Sequence, residues 1–172
     1  AAQVPLTPAD PQPEGLAPGL DVVYAKTGPN VRFLAQAEQR LENARRGAPL
    51  VGLDYPDRGL GQPTLTFGAA EFVAAGIEGW LRFDEAGTWR LQLHSNDGFA
   101  LRLGGVEVDR YDTRRGCDTN GWIAVEVPEP GWYAVEATYF QRYDSSCLMM
   151  RWEAPDGTRA WTPTEVWGRA PE

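Results

Sequence analysis

Apolar and polar residues alternate along most of the second half of the chain. The run "TWRLQLHS" (88–95) places Trp89, Leu91 and Leu93 at every second position, the period of a strand with one buried face. "FALRL" (99–103) repeats the pattern with Phe99, Leu101 and Leu103, and Gly104-Gly105 predicts a tight hairpin into 106–109. Further strands are predicted over 20–25, 64–67, 77–83, 122–127, 131–140 and 147–154. Residues 31–47 carry a helical period instead. Leu34, Ala37, Leu41 and Ala44 form one stripe, Pro29-Asn30 precedes it, and Gly47 closes it. The pattern predicts an all-β fold, an antiparallel sandwich or barrel with one early helix. Trp80, Trp89, Trp132 and Trp152 fall on strands and are expected in the core. Residues 1–19 hold five prolines and no hydrophobic period, which reads as a Pro-rich arm before a domain over 20–172.

Composition narrows the function classes. The chain has 172 residues, enough for one domain, and a net charge of −8. Such an acidic surface repels nucleic-acid phosphates and anionic lipid. No apolar run approaches the ~20 residues of a membrane helix, so membrane insertion is not expected. The chain begins Ala-Ala-Gln, as a mature form after signal cleavage or a trimmed chain would. Cys117 and Cys147 are the only cysteines. An even count in a turn-rich acidic chain reads as one disulfide and an oxidising compartment; two buried thiols are the alternative.

Candidate chemistry is concentrated in three polar segments. "SNDG" (95–98) interrupts two strands with an amide and a carboxylate side by side. Plain turn chemistry explains part of it: Asn and Asp bond nearby backbone, and Gly98 accepts positive φ. The loop "DRYDTRRGCDTNGW" (109–122) is long and rich in Arg and Asp, and "QRYDSS" (141–146) precedes Cys147. Tyr111, Tyr143 and Trp122 offer rings for a sugar to stack on. His94 beside Ser95 and near Asp97 does not make a triad, because neighbours on a strand point to opposite faces. Asp54, Asp57, Asp109, Asp112 and Asp118 sit in turn-like contexts where aspartate is common. No acid/base pair or nucleophile stands out, so the chain is not expected to be an enzyme.

Several motifs together resemble the PA14 domain family. They are "EGWLRFDEAGTWRLQLHSNDGFALRLGG", then "GWYAVEATYF", then "LMMRWEAPDG", in that order over roughly residues 20–160. The resemblance implies a PA14-like sandwich. In the sugar-binding members two adjacent aspartates joined by a cis peptide grip Ca²⁺, and the ion holds two sugar hydroxyls. Carried over, that pair falls on Asn96 and Asp97. The family's second loop, which adds an Asn side chain and backbone carbonyls, falls on Gln141–Ser146. The sequence departs from the pattern: Asn96 replaces the first aspartate, the second loop has no Asn, and Gln141 stands in for it. Ca²⁺ takes about 6–8 oxygens and ligand charge helps set its affinity, so these neutral oxygens imply weak binding, with Asp144 able to restore a charge.

The sequence reading is therefore a non-catalytic carbohydrate-binding or adhesion module outside the cytoplasm: secreted, periplasmic or on a cell surface. Ligand contacts are expected from Asn96, Asp97, Tyr111, Gln141, Tyr143 and Asp144, and Ca²⁺ from Asn96, Asp97 and Gln141. The expected partner is a carbohydrate or glycoconjugate. The alternative is a structural or protein-interaction module with neither metal nor sugar site.

Overall fold

The computed structural model describes residues 3–172. Two short strands come first, β1 (Val4–Pro5) and β2 (Ala17–Pro18), followed by β3 (Asp21–Lys26). Helix α1 (Leu34–Arg40) runs into a 3-10 turn (Leu41–Asn43), and β4 (Arg45–Arg46) and β5 (Asp54–Tyr55) follow. The long strands are β6 (Val73–Phe83), β7 (Gly87–Asn96), β8 (Phe99–Leu103), β9 (Val106–Tyr111), β10 (Asp118–Val127), β11 (Gly131–Gln141) and β12 (Cys147–Glu153). The chain ends through β13 (Arg159–Trp161) and β14 (Trp167–Arg169).

These strands form two facing sheets. One runs β1-β10-β7-β12-β13, with β5 also on β12; the other runs β2-β14-β6-β11-β8-β9, with β3 on β6 and β4 on β3. All pairings are antiparallel except β1 with β10. The inner faces supply the predicted alternation. Trp89, Leu91, Leu93, Val125, Met150 and Trp152 meet Ile77, Leu81, Phe83, Leu101, Tyr133 and Tyr139 in one core. Phe83 is packed by the rings of Trp89, Tyr133 and Trp152, with centroids 5.1 to 5.7 Å apart, and such aromatic pairs add to the burial itself. The all-β sandwich with one early helix is therefore as expected. Gly104 and Gly105 have φ of 56° and 87°, the left-handed pair that a two-residue hairpin between β8 and β9 requires.

Three departures have physical reasons. The helix is shorter than its stripe predicts. From Ala44 the backbone is extended, and Arg45–Arg46 pair with Val23 and Tyr24 at the edge of β3. A free sheet edge offers backbone partners that a solvent-facing last helical turn lacks. Residues 64–67 bend instead of forming a strand: Phe67 N–H donates to the Thr64 carbonyl at 2.8 Å, and the Thr64 hydroxyl donates to the Ala70 carbonyl at 2.9 Å. Of the four strand tryptophans, Trp89 and Trp152 are in the core, while Trp80 and Trp132 lie half-buried on the outer face of the larger sheet.

Residues 3–19 run along the sandwich. Leu6 is buried in the main core, its N–H donates to the Glu126 carbonyl at 3.0 Å, and Ala9 N–H donates to the Trp132 carbonyl at 2.9 Å. The Gln12 amide both donates to the Trp132 carbonyl and accepts its N–H. Helix α1 covers the other end of the larger sheet, where Val31, Leu34 and Ala37 pack on Ala74, Ala100 and Phe140.

Candidate functional site

The site is built where β7 stops. Only Asp97 and Gly98 separate β7 from β8, and the Asn96–Asp97 peptide is cis. Ser95, Asn96 and Asp97 are all buried despite being polar. Each therefore needs partners, and most of these come from two loops distant in sequence.

Asp97 ties those loops together. Its Oδ1 accepts the backbone N–H of Arg115 at 3.0 Å, and its Oδ2 accepts that of Arg142 at 2.8 Å. Its own N–H donates to the Phe140 carbonyl, and Phe140 N–H donates to the Gly98 carbonyl, both at 3.0 Å. The Ser95 hydroxyl donates to the Asp97 carbonyl at 2.8 Å, and the Tyr139 hydroxyl donates to the Asn96 carbonyl. Gly98 is required by close packing rather than by positive φ. A Cβ there would stand 2.4 Å from the Phe140 ring and 2.9 Å from the Tyr111 carbonyl oxygen.

A disulfide joins Cys117 to Cys147 with Cα atoms 5.8 Å apart. Cys147 is the register partner of Asn96, and Asp118 that of Ser95, so the bridge fastens both loops beside the turn. Arg115 completes the frame. It donates to the Ser95 carbonyl at 3.1 Å, the Ser95 hydroxyl at 2.9 Å and the Asn120 side chain at 2.9 Å, and lies 3.9 Å over the Tyr111 ring. Arg142 donates to the Pro29 carbonyl at 2.9 Å and lies 4.4 Å over the Tyr143 ring.

Between the loops lies a cavity of about 250 Å³. Asn96, Asp97, Tyr143 and Asp144 form part of its wall, and Arg114, Arg115, Gly116 and Arg142 form the rest. Four of the six residues expected to bind ligand are thus brought together. The other two stand behind the wall. Tyr111 has one ring face covered by Arg115. Gln141 is fully buried; its amide donates to the Tyr143 carbonyl at 3.0 Å. Trp122 is elsewhere, on the outer face of the smaller sheet beneath Arg151 and Arg159. A larger hollow of about 490 Å³ crosses the outer face of the larger sheet. Its acidic wall is already partly neutralised, since Arg110 pairs with Glu107 at 3.1 Å.

Burial sets the electrostatics. It pushes the Asp97 carboxyl above the usual range, against the pull of the Arg142 and Arg115 N–H groups and the Arg114 and Arg142 charges. Burial also raises Asp109, whose Oδ1 accepts from Asn120 at 2.9 Å while its buried Oδ2 has no partner among the described residues. Tyr139 is held well above the phenol range by burial and then by the nearby Asp97 charge. His94 is lowered by burial and next by the charge of Arg115.

The oxygens at the turn are of the kind a cation such as Ca²⁺ takes, but three arginines line the same cavity. The Asn96 side chain makes no hydrogen bond among the described residues, and Gln141 Oε1 is buried with no partner. Asp97 contributes charge. Among the described residues no three His, Cys, Asp or Glu side chains gather as a metal-binding group, so a cation here would rely on amide and backbone oxygens.

No protein-family model and no curated protein sequence matches the chain. Solved structures do. The PA14 domain of the MpAFP antifreeze protein superposes with a TM-score of 0.75 at 14% identity, covering 95% of this chain and 97% of that one. The PA14 sugar-binding domain from an RTX adhesin gives 0.67 at 15% identity, covering 90% and 99%. The epithelial adhesin 9 A domain from Candida glabrata, solved with Galβ1-3GlcNAc, gives 0.70 at 11% identity, covering 97% and 95%. The fold is that of PA14 domains.

Proposed function

We propose that this chain is a non-catalytic carbohydrate-binding or adhesion module that works outside the cytoplasm. The observation that carries the reading is the cavity at the Asn96–Asp97 turn. It is open, polar, and framed by buried groups that are already held in place, as a site for sugar hydroxyls needs to be. Two of the similar structures are described as a sugar-binding domain and as an adhesin in complex with a disaccharide. The Cys117–Cys147 bridge suits an oxidising compartment. Among the described residues no helix is long and apolar enough to cross a membrane.

Sugar would sit against the tips of the 95–98, 109–121 and 141–146 loops. Of the three residues expected to hold Ca²⁺, Asn96 and Asp97 line the cavity and would hold it, while Gln141 lies buried behind them; when bound the ion would supply an electrophilic anchor for hydroxyl oxygens. The cavity's three arginines oppose the ion, so binding would be weak. Thermal unfolding in about 1 mM Ca²⁺ against EDTA tests this. A site of ~10 μM affinity would add about 2.7 kcal/mol, raising the midpoint by about 5–10 °C. Asn96→Ala should abolish that rise without loss of fold. Superimposed curves would exclude the metal.

For sugar itself, a glycan array followed by NMR titration is the direct test. Shifts confined to the cavity loops are expected. A second reading rests on Asp97, whose two carboxylate oxygens are both satisfied by backbone N–H groups. The turn is self-sufficient in that sense and could serve a purely structural or protein-interaction module. No shift with any glycan would favour that reading.

A further inference from the structure

We infer that the cavity selects an acidic sugar, one bearing a carboxylate, with Arg114 as its recognition group. This rests on the carbohydrate-binding reading and deepens it. The chain as a whole has 24 Asp and Glu against 16 Lys and Arg. The cavity reverses that balance: Arg114, Arg115 and Arg142 face it, against Asp97 and Asp144. A local excess of positive charge on an acidic protein draws anions to that one place.

Among the described residues none of the three guanidinium groups is neutralised by an ion pair. Arg115 and Arg142 spend their hydrogen bonds on Ser95, Asn120 and Pro29, all uncharged, and lie on tyrosine rings. Asp97 is close enough for the Arg114 and Arg142 charges to act on it. Its two oxygens, however, are turned to the backbone N–H groups of Arg115 and Arg142. Arg114 lines the cavity, its charge acts on Asp97, and its side chain has no hydrogen-bond partner among the described residues. Its planar fork matches a carboxylate in two parallel bonds.

Two anchored guanidiniums and one free one make a divided site. Arg115 and Arg142 cannot swing out to solvent without giving up their backbone bonds, so their charge is fixed at the cavity before any ligand arrives. Arg114 is left to close on the carboxylate. Tyr143, 43% exposed, stands beside it for the sugar ring.

The test uses matched pairs: galactose with galacturonate, glucose with glucuronate, and N-acetylneuraminate as a bulkier acid. Affinities are read by NMR titration, in Ca²⁺ and in EDTA, at low and at physiological salt. The acid should bind roughly tenfold more tightly than its neutral partner, with the advantage shrinking as salt rises. Arg114→Gln should erase the advantage while leaving the unfolding midpoint unchanged, and Arg114→Lys should keep part of it. Equal affinities within each pair would overturn the acidic preference and leave the carbohydrate reading standing. Binding of none of these sugars would overturn the acidic preference, and the carbohydrate reading would fall with it only if the glycan array were blank as well. An advantage that survives Arg114→Gln would overturn the role given to Arg114.

Discussion

Asp97 accepts the backbone N–H of Arg142 across 2.8 Å, and this single bond fastens the turn after β7 to the loop after β11. The same carboxylate holds Arg115 from the other side. Hydrogen bonds to a charged acceptor are worth about 1.5–3 kcal/mol each. Asp97→Ala should therefore lower stability by about 3 kcal/mol or more in urea denaturation. A loss below about 1 kcal/mol would show that the loops hold themselves.

His94 gives a pH dependence of known sign. Burial and the Arg115 charge hold its pKa below the ordinary histidine value. Between that lowered value and about 6.5 the unfolded chain binds the proton and the folded protein does not. The stability this group contributes is present above the unfolded pKa and is lost as pH falls through that window. The unfolding midpoint should drop as pH falls below about 7, and His94→Gln should flatten the drop. An unchanged slope in the variant would assign the effect to other groups.

The Cys117–Cys147 bridge closes a segment of 30 residues. Replacing both cysteines by serine should cost roughly 3–4 kcal/mol on the chain-entropy scale. Amide exchange should rise first in the 112–117 and 142–146 loops. Equal exchange in both forms would mean that Asp97 alone orders them.

Gly98→Ala should destabilise by about 1–3 kcal/mol, because the added methyl meets the Phe140 ring. Gly105→Ala is the useful comparison: no atom lies within 4 Å of its Cβ position, but its φ is 87°. Calorimetry of the two separates crowding from backbone conformation. Only at Gly98 should a smaller residue at 140, Phe140→Leu, recover part of the loss, because the Tyr111 carbonyl oxygen stays close to the added methyl.

Leu6→Ala should cost about 2–5 kcal/mol, since Leu6 is 4% exposed within the main core. A cost near zero would mean that the first residues contribute little to the folded domain.

The long strands were legible where they carry a period of two, as β7 and β8 do; the apolar run over 73–75 at the start of β6 and the irregular start of β10 have no such period. Trp89, Leu91 and Leu93 show the period in sequence and fill the core in space. The helix end was not legible, because Arg45 and Arg46 leave it for an edge on β3 that no local pattern announces. Leu6 gave no signal either: one leucine among prolines has no period, and its partners are β10 and the Gly104 turn far along the chain. In the candidate site, the polar turn and the disulfide could be picked out by residue type. The partners of Asp97 could not, because both are backbone N–H groups and any residue supplies those. Arg114, Arg115 and Arg142 were visible only as charges in two polar loops. Nothing in the order of letters says that two of them lie over tyrosine rings.

The strands that carry the cavity also decide which way it faces. Residues 4–18 and 167–169 pair near the start of β11 and the end of β6, while the Asn96–Asp97 turn lies beyond the finish of β11 and the beginning of β6. A tether joined close to residue 4 or to residue 169 would hold the sandwich by its base. Captured on a sensor chip or bead through either position, the molecule would stand with its arginine-lined hollow uppermost and unobstructed. A glycan presented on an opposing surface would meet that hollow first.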